Sequence, residues 1–190
     1  APWTMDLEKL PALRRYEAIN YQPRMVESLT DVLTMAPTIA LEHMRLEHSN
    51  VDMDVSVLID LLQSEGMSTC RSLSLACTLI SQVHLENFLD LPSLGSLESL
   101  DLTGCYLHDE GAKTLARCEH LKGLTSLHVA TNRLTFDGVE ALLSAFSTLE
   151  TFDISDSKSK RAGWAQLLEL LQDRGVRTLH ASSTHLNDAH

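Results

Sequence analysis

The sequence predicts an α/β solenoid, a right-handed horseshoe with a parallel sheet on its concave face and helices on its convex face. Three observations predict it. An eleven-residue frame, L-x-x-L-x-L-x-x-N/C-x-L, recurs along the 190 residues at near-constant intervals. After the clearest frames the apolar spacing switches from a period of two to a helical one, with a glycine at a fixed place. Apolar residues make up 44% of the chain but aromatics only 5%, which suits small, regular, leucine-based packing units.

Residues 1–12 precede the frames, and Trp3, Met5, Leu7 and Leu10 read as an N-terminal cap or linker. A degenerate first copy starts at Leu13, with Tyr16, Ala18 and Tyr21. Looser copies follow at Leu41-Met44-Leu46-Ser49-Val51 and Cys70-Leu73-Leu75-Thr78-Ile80. The two clearest are Leu97-Leu100-Leu102-Cys105-Leu107 and Leu124-Leu127-Val129-Asn132-Leu134. Two further copies are Leu149-Phe152-Ile154-Ser157-Ser159, where Ser159 replaces a core leucine, and Val176-Leu179-Ala181-Thr184-Leu186. The starts at 41, 70, 97, 124, 149 and 176 are 29, 27, 27, 25 and 27 residues apart. Residues 13–190 therefore read as six to seven units.

Within each frame the L-x-L segment alternates with period two, as a short strand must. The ninth position carries Asn, Cys, Ser or Thr, where a small polar side chain can bond the backbone as the strand turns away. Stacked units predict a ladder of such bonds. Helices are predicted after Leu107 (Ala112, Leu115, Ala116), after Leu134 (Val139, Ala141, Leu142, Leu143) and after Ser159 (Trp164, Leu167, Leu168, Leu171). Gly111, Gly138 and Gly163 share one place in their units, and the acids before the first two suit a helix N-terminus. The unit after Ile80 is less regular and contains Pro92. Helices are wider than strands, so a stack of such units curves with its strands inside.

The final strand is expected to end near Leu186, and the last unit lacks its helix. An uncovered solenoid end exposes apolar core. A fragment of a longer array, a natural short cap, and an end covered by a second molecule all satisfy this pattern.

The frame, the spacing and the helical back resemble leucine-rich repeats of the ribonuclease-inhibitor type over roughly residues 13–190, most closely from Asp109 to Gly138. The resemblance implies that a partner sits on the concave strand face. It also implies either a free-standing interaction module or a regulatory repeat domain of a larger enzyme, such as a ubiquitin ligase or a GTPase-activating protein. For the latter, Arg45 and Arg133 are candidates by residue type alone.

The net charge of −11 argues against nucleic acid or an anionic membrane as partner. No apolar run is long enough to insert into a membrane. Between residues 85 and 157, twelve acidic residues face four basic ones, so a protein with a basic surface is the expected partner. The residue between the two core positions of each strand forms one column: Glu17, Arg45, Ser74, Asp101, His128, Asp153, His180. Its second half alternates acid and imidazole between small neighbours, Ser99, Ser126, Thr151 and Thr178 on one side and Thr103, Ala130, Ser155 and Ser182 on the other. The partner-binding candidates are Arg45, Glu47, His48, Asp101, His128, Asp153, Asp156 and His180. The bland reading is a self-neutralising solvated sheet.

No cofactor and no metal are expected, because a single column rarely supplies converging ligands. Catalysis is not expected either. The nearest nucleophile pair, Cys77 with His48 one strand away, lacks an orienting group and an oxyanion donor. Four cysteines without a CxxC pair and the absence of an Asn-x-Ser/Thr sequon point to a reducing, cytoplasmic setting. Cys105 is expected at the ladder position, Cys70 in the core, and Cys77 on the concave face.

Overall fold

A computed structural model describes residues 13–19, 23–35, 39–47, 55–80, 82–88, 91–157 and 161–183. The cap at 1–12, His48, the side chain of Trp164 and the stretch 184–190, over which the sequence predicts the end of the last unit without a helix, lie outside the described residues.

The described strands are β1 (Arg15–Ile19), β2 (His43–Glu47), β3 (Ser72–Ser74), β4 (Ser99–Asp101), β5 (Ser126–His128), β6 (Thr151–Asp153) and β7 (Thr178–His180). They form one open parallel sheet in strict chain order, β1 through β7. Between them run α1 (Pro23–Met35), α2 (Val55–Gln63), α3 (Gln82–Phe88), α4 (His108–Ala116), α5 (Phe136–Ala145) and α6 (Arg161–Arg174). The irregular third unit has the short helix α3, and Pro92 opens a 3-10 turn, Pro92–Ser96. The molecule is an α/β solenoid with the sheet inside its curve and the helices outside, as the frame predicts.

The frame's apolar positions build the core. In the fourth unit Leu97, Leu100, Leu102 and Leu107 are buried, and in the fifth Leu124, Leu127, Val129 and Leu134. From α4 and α5 come Ala112, Leu115, Val139, Leu142 and Leu143. In the sixth unit Phe152 replaces leucine, and it and Phe146 are both fully buried. Burial of a leucine-sized side chain contributes roughly 1.5–3 kcal/mol, and the term repeats along the stack. Of the leucines expected to face inward from α6, Leu167 and Leu171 do, whereas Leu168 is exposed.

The ninth-position ladder is only half built among the described residues. Asn132 Nδ2 donates to Leu102 O at 2.7 Å and to Ala130 O at 3.2 Å, and Asn132 Oδ1 accepts from Leu107 N at 3.1 Å. Cys105 Sγ donates to Leu75 O at 3.1 Å. Thr78 and Ser157 are equally buried, yet their hydroxyls find no partner among the described residues.

The eighth position has its own regularity. Cys77, Gly104, Thr131, Asp156 and Ser183 all have φ between 53° and 68°. Their conformation bends the chain off the sheet while the ladder continues one rung further. Cys77 N donates to Thr103 O, Gly104 N to Ala130 O, Thr131 N to Ser155 O and Asp156 N to Ser182 O. Four of the five are not glycine, although left-handed backbone costs roughly 1–2 kcal/mol at a residue bearing Cβ.

The acid before Gly111 acts across the unit boundary. Asp109 Oδ1 accepts from Thr135 N at 2.7 Å, and Asp109 Oδ2 accepts from Thr135 Oγ1 at 2.6 Å. Asp109 therefore fixes the start of α5, one unit later, rather than serving only the helix it begins.

Candidate partner-binding face

The register places the central column as the frame requires. Glu17 pairs with Arg45, Arg45 with Ser74, Ser74 with Asp101, Asp101 with His128, His128 with Asp153, and Asp153 with His180. Alternation along each strand buries Leu100, Leu127 and Phe152 and leaves these partners on the concave face.

The N-terminal part of the column neutralises itself. Arg45 makes a two-pronged contact with Glu47 on its own strand, at 2.7 and 2.9 Å. That hydrogen bond and the Glu47 charge hold the guanidinium pKa above its ordinary value. Glu47 also accepts from Ser74 Oγ at 3.4 Å.

Around Asp101 and Asp153 the balance differs. Asp101 Oδ1 accepts from Thr103 N at 2.9 Å and Asp101 Oδ2 from Ser74 Oγ at 3.3 Å. Asp153 Oδ1 accepts from Ser155 N at 3.0 Å. Both carboxylates are thus held by an amide two residues on, and neither has a lysine or arginine within ion-pair distance among the described residues. Between them, His128 Nε2 lies 3.0 Å from Ser126 Oγ and His128 Nδ1 lies 3.7 Å from Asp153 Oδ2. His180 is exposed on β7, the last described strand of the sheet. Asp156 does not stand on the sheet face. It sits at the turn after β6, where its Oδ2 accepts from Thr131 Oγ1 at 3.0 Å.

Ser126, His128 and Asp153 follow the order of a nucleophile, base and orienting acid, a set that sequence reading missed. The geometry does not complete it. A separation of 3.7 Å is too long for the orienting hydrogen bond. The Ser126 amide, a natural oxyanion donor, is spent on Glu98 O. His48, the base considered for Cys77, lies outside the described residues. No group of three or more metal-ligating side chains is gathered among the described residues, because the column runs straight at roughly 4.8 Å per strand.

Two features were missed in the sequence. The second frame position forms an ion-pair column at the strand entrances. Arg14 pairs with Glu42 at 3.4 Å, Arg71 with Glu98 at 2.7 Å, and Arg177 with Glu150 at 3.2 Å. These pairs are well exposed, so each contributes at most about 1 kcal/mol. Its signal was a charge of alternating sign at that position, Arg14, Glu42, Arg71 and Glu98, interrupted at Thr125 and resumed at Glu150 and Arg177. The other feature is a groove of about 420 Å³ at the strand exits, lined by Cys77, Leu79, Gly104, Tyr106, Thr131, Arg133 and Asp156. Cys77, expected on the concave face, belongs to this groove, because its left-handed backbone turns it off the sheet.

Cys70 and Cys105 are buried, which pushes their thiols up to about 11 and about 12, whereas Cys77 is exposed. Titration with a thiol reagent at pH 8 is expected to modify Cys77 quickly and to leave Cys70 and Cys105 unmodified until the chain unfolds. Equal rates at all three would contradict their placement. Because the folded values of Cys70 and Cys105 lie above the ordinary 9.0, the stability they contribute is complete below pH 9. It is lost as pH rises from about 9 to about 12, where the unfolded thiols ionise first.

The family model described as "Leucine Rich repeat" matches residues 96–116. No curated protein sequence matches the chain. Among solved structures, the C-terminal domain of tropomodulin from Caenorhabditis elegans is similar at 15% identity and TM-score 0.51, over 78% of this chain and 92% of that one. The structure titled TLR13-ssRNA13 complex is similar at 16% identity and TM-score 0.50, over 95% of this chain and 24% of that one. At such identities the likeness is one of fold. Among the described residues no helix is long and apolar enough to cross a membrane.

Proposed function

Because this chain is a leucine-rich repeat solenoid, we propose that it works as a protein-interaction module that takes a partner's basic surface onto the C-terminal half of its concave face. Adaptor, scaffold, substrate receptor and inhibitor are all roles of this kind. The observation that carries the reading is the pair Asp101 and Asp153. They stand in register two strands apart, roughly 10 Å, each oriented by a backbone amide and lacking a lysine or arginine partner. A partner's lysine or arginine would complete both at little ordering cost. Small residues on either side, Ser99, Ser126 and Thr151 with Thr103, Ala130 and Ser155, leave room for long side chains. His128 and His180 lie in the same column and would take part, whereas Arg45 and Glu47 satisfy each other and would form the rim.

An RNA partner of the sort named with TLR13 is disfavoured here by the net charge of −11. The incomplete relay around His128 favours binding over catalysis. Buried, unbridged Cys70 and Cys105 suit a reducing compartment such as the cytoplasm.

The test is capture from lysate of the source cells with the intact domain and with the double variant Asp101→Lys, Asp153→Lys. A protein retained by the first and lost by the second, at an unchanged melting temperature, is the expected result. The same protein retained by both would sink the reading and move the site off this half of the sheet.

A further inference from the structure

The groove at the strand exits uses none of the residues that carry the concave-face reading. It spans the ends of four consecutive strands, β3 to β6, and is lined only by eighth- and tenth-position residues. Its volume of about 420 Å³ lies within the roughly 300–1,000 Å³ range of sites that hold a defined ligand. Leu79 and Tyr106 form its apolar wall and are 40% and 51% exposed. The inward-pointing frame positions beside them are buried to within a few per cent, so the frame leaves these two side chains outside the core.

Arg133 lies over Tyr106, its guanidinium carbon 5.4 Å from the ring centroid. A cation–π contact of this kind holds the guanidinium against the ring. Arg133 makes no ion pair among the described residues, although the surrounding stretch is strongly acidic. Among the described residues it is the only cation in the lining. At the far side Thr131 Oγ1 holds Asp156 Oδ2 at 3.0 Å, which gives the groove an oriented acceptor as well.

We propose that this groove is a second binding site, for an extended segment of a partner protein in which one acidic side chain adjoins a bulky apolar one. The apolar residue covers Leu79 and Tyr106. The carboxylate meets the stacked Arg133 edge-on, in the two-pronged geometry that a guanidinium favours. Asp156 accepts from the segment's backbone amide and disfavours a second acid, so a uniformly acidic peptide fits poorly. The acidic field around the groove disfavours carboxylates elsewhere and leaves Arg133, among the described residues, as the place for them.

The experiment is selection from a displayed random dodecapeptide library on the full chain, followed by affinity measurement for the enriched peptides. Peptides pairing Leu, Ile or Phe with one neighbouring Asp or Glu are expected to emerge. Their affinity should fall at least about tenfold with Arg133→Glu or Leu79→Ser, the scale of a lost charge-assisted contact. It should not change with Asp101→Lys, Asp153→Lys, so the result stands whether or not the concave-face reading does. Arg133→Gln, which removes the charge without reversing it, repeats the measurement should the charge reversal disturb folding. Absence of enrichment, enrichment of peptides without an acid, or affinity unmoved by the Arg133 variants would each overturn the proposal.

Discussion

Asn132→Ala is expected to lower the stability of this protein by about 3–5 kcal/mol, among the largest losses a single polar side chain here can produce. The amide joins two units from inside the core. Its loss strands the carbonyl of Leu102 and the amide of Leu107, both served by Asn132 in the folded chain, whereas the carbonyl of Ala130 keeps its bond from Gly104 N. Each buried orphan costs about 1–3 kcal/mol, and the costs combine less than additively because the neighbours relax together. Asn132→Cys should recover part of the loss, since Cys105 performs the carbonyl contact with a thiol in the preceding unit. Thr78→Val supplies the control at the same frame position. It removes a hydroxyl that bonds nothing among the described residues, so it should be neutral or stabilising by up to about 1 kcal/mol. Chemical denaturation of the three variants decides the matter, and a loss below about 1 kcal/mol for Asn132→Ala would show that the ladder is dispensable.

The second large effect is expected at Gly138. A Cβ there would lie 3.2 Å from Asp109 Cα and 3.3 Å from Asp109 Cγ, and the Asp109 carboxylate is pinned by two bonds to Thr135. Neither side can yield without giving up the start of α5. Overpacking of about 1–3 kcal/mol and the loss of the cap outweigh the roughly 1 kcal/mol gained from helix propensity, leaving Gly138→Ala destabilised by about 2–3 kcal/mol. The cause has a distinctive signature. Asp109→Ala removes the cap and the carboxylate part of the obstruction and leaves only the 3.2 Å approach to the Cα, so Gly138→Ala should cost clearly less in the Asp109→Ala background than in the parent chain. Additive losses in that cycle would show that the glycine is needed for some other reason.

The contrast between these two positions shows what a sequence can reveal. Asn132 was legible because a frame fixes its place and only a side chain with a donor and an acceptor meets the need. The strand register was legible for the same reason, since period two admits one assignment of inward faces and a slip would bury Asp101 and expose Leu100. Asp109 was harder, because its partner Thr135 lies a whole unit later and nothing local marks the link. The left-handed eighth positions were invisible. Only Gly104 carries the residue expected there, while Cys77, Thr131, Asp156 and Ser183 adopt the conformation because the ladder demands it. The groove depends on those turns, so sequence reading assigned Cys77 and Asp156 to the sheet face and gave Leu79 and Tyr106 no role. At Asp101, His128 and Asp153 the column was foreseen, but not which charges remain uncompensated. That depends on amide and hydroxyl contacts two residues or one strand away.

The sheet that runs from β1 to β7 in strict chain order also governs how the molecule responds to load. No described strand is pinned by one distant in sequence, so tension applied at the two ends of the sheet reaches each boundary between units in series. The structure behaves as a row of clasps, opening first where the boundary is weakest. The boundary between the units of β4 and β5, tied by an amide and a carboxylate, is the last to part, and that between β3 and β4 carries a thiol tie. A partner seated across several strands would act as a splint, turning neighbouring clasps into one.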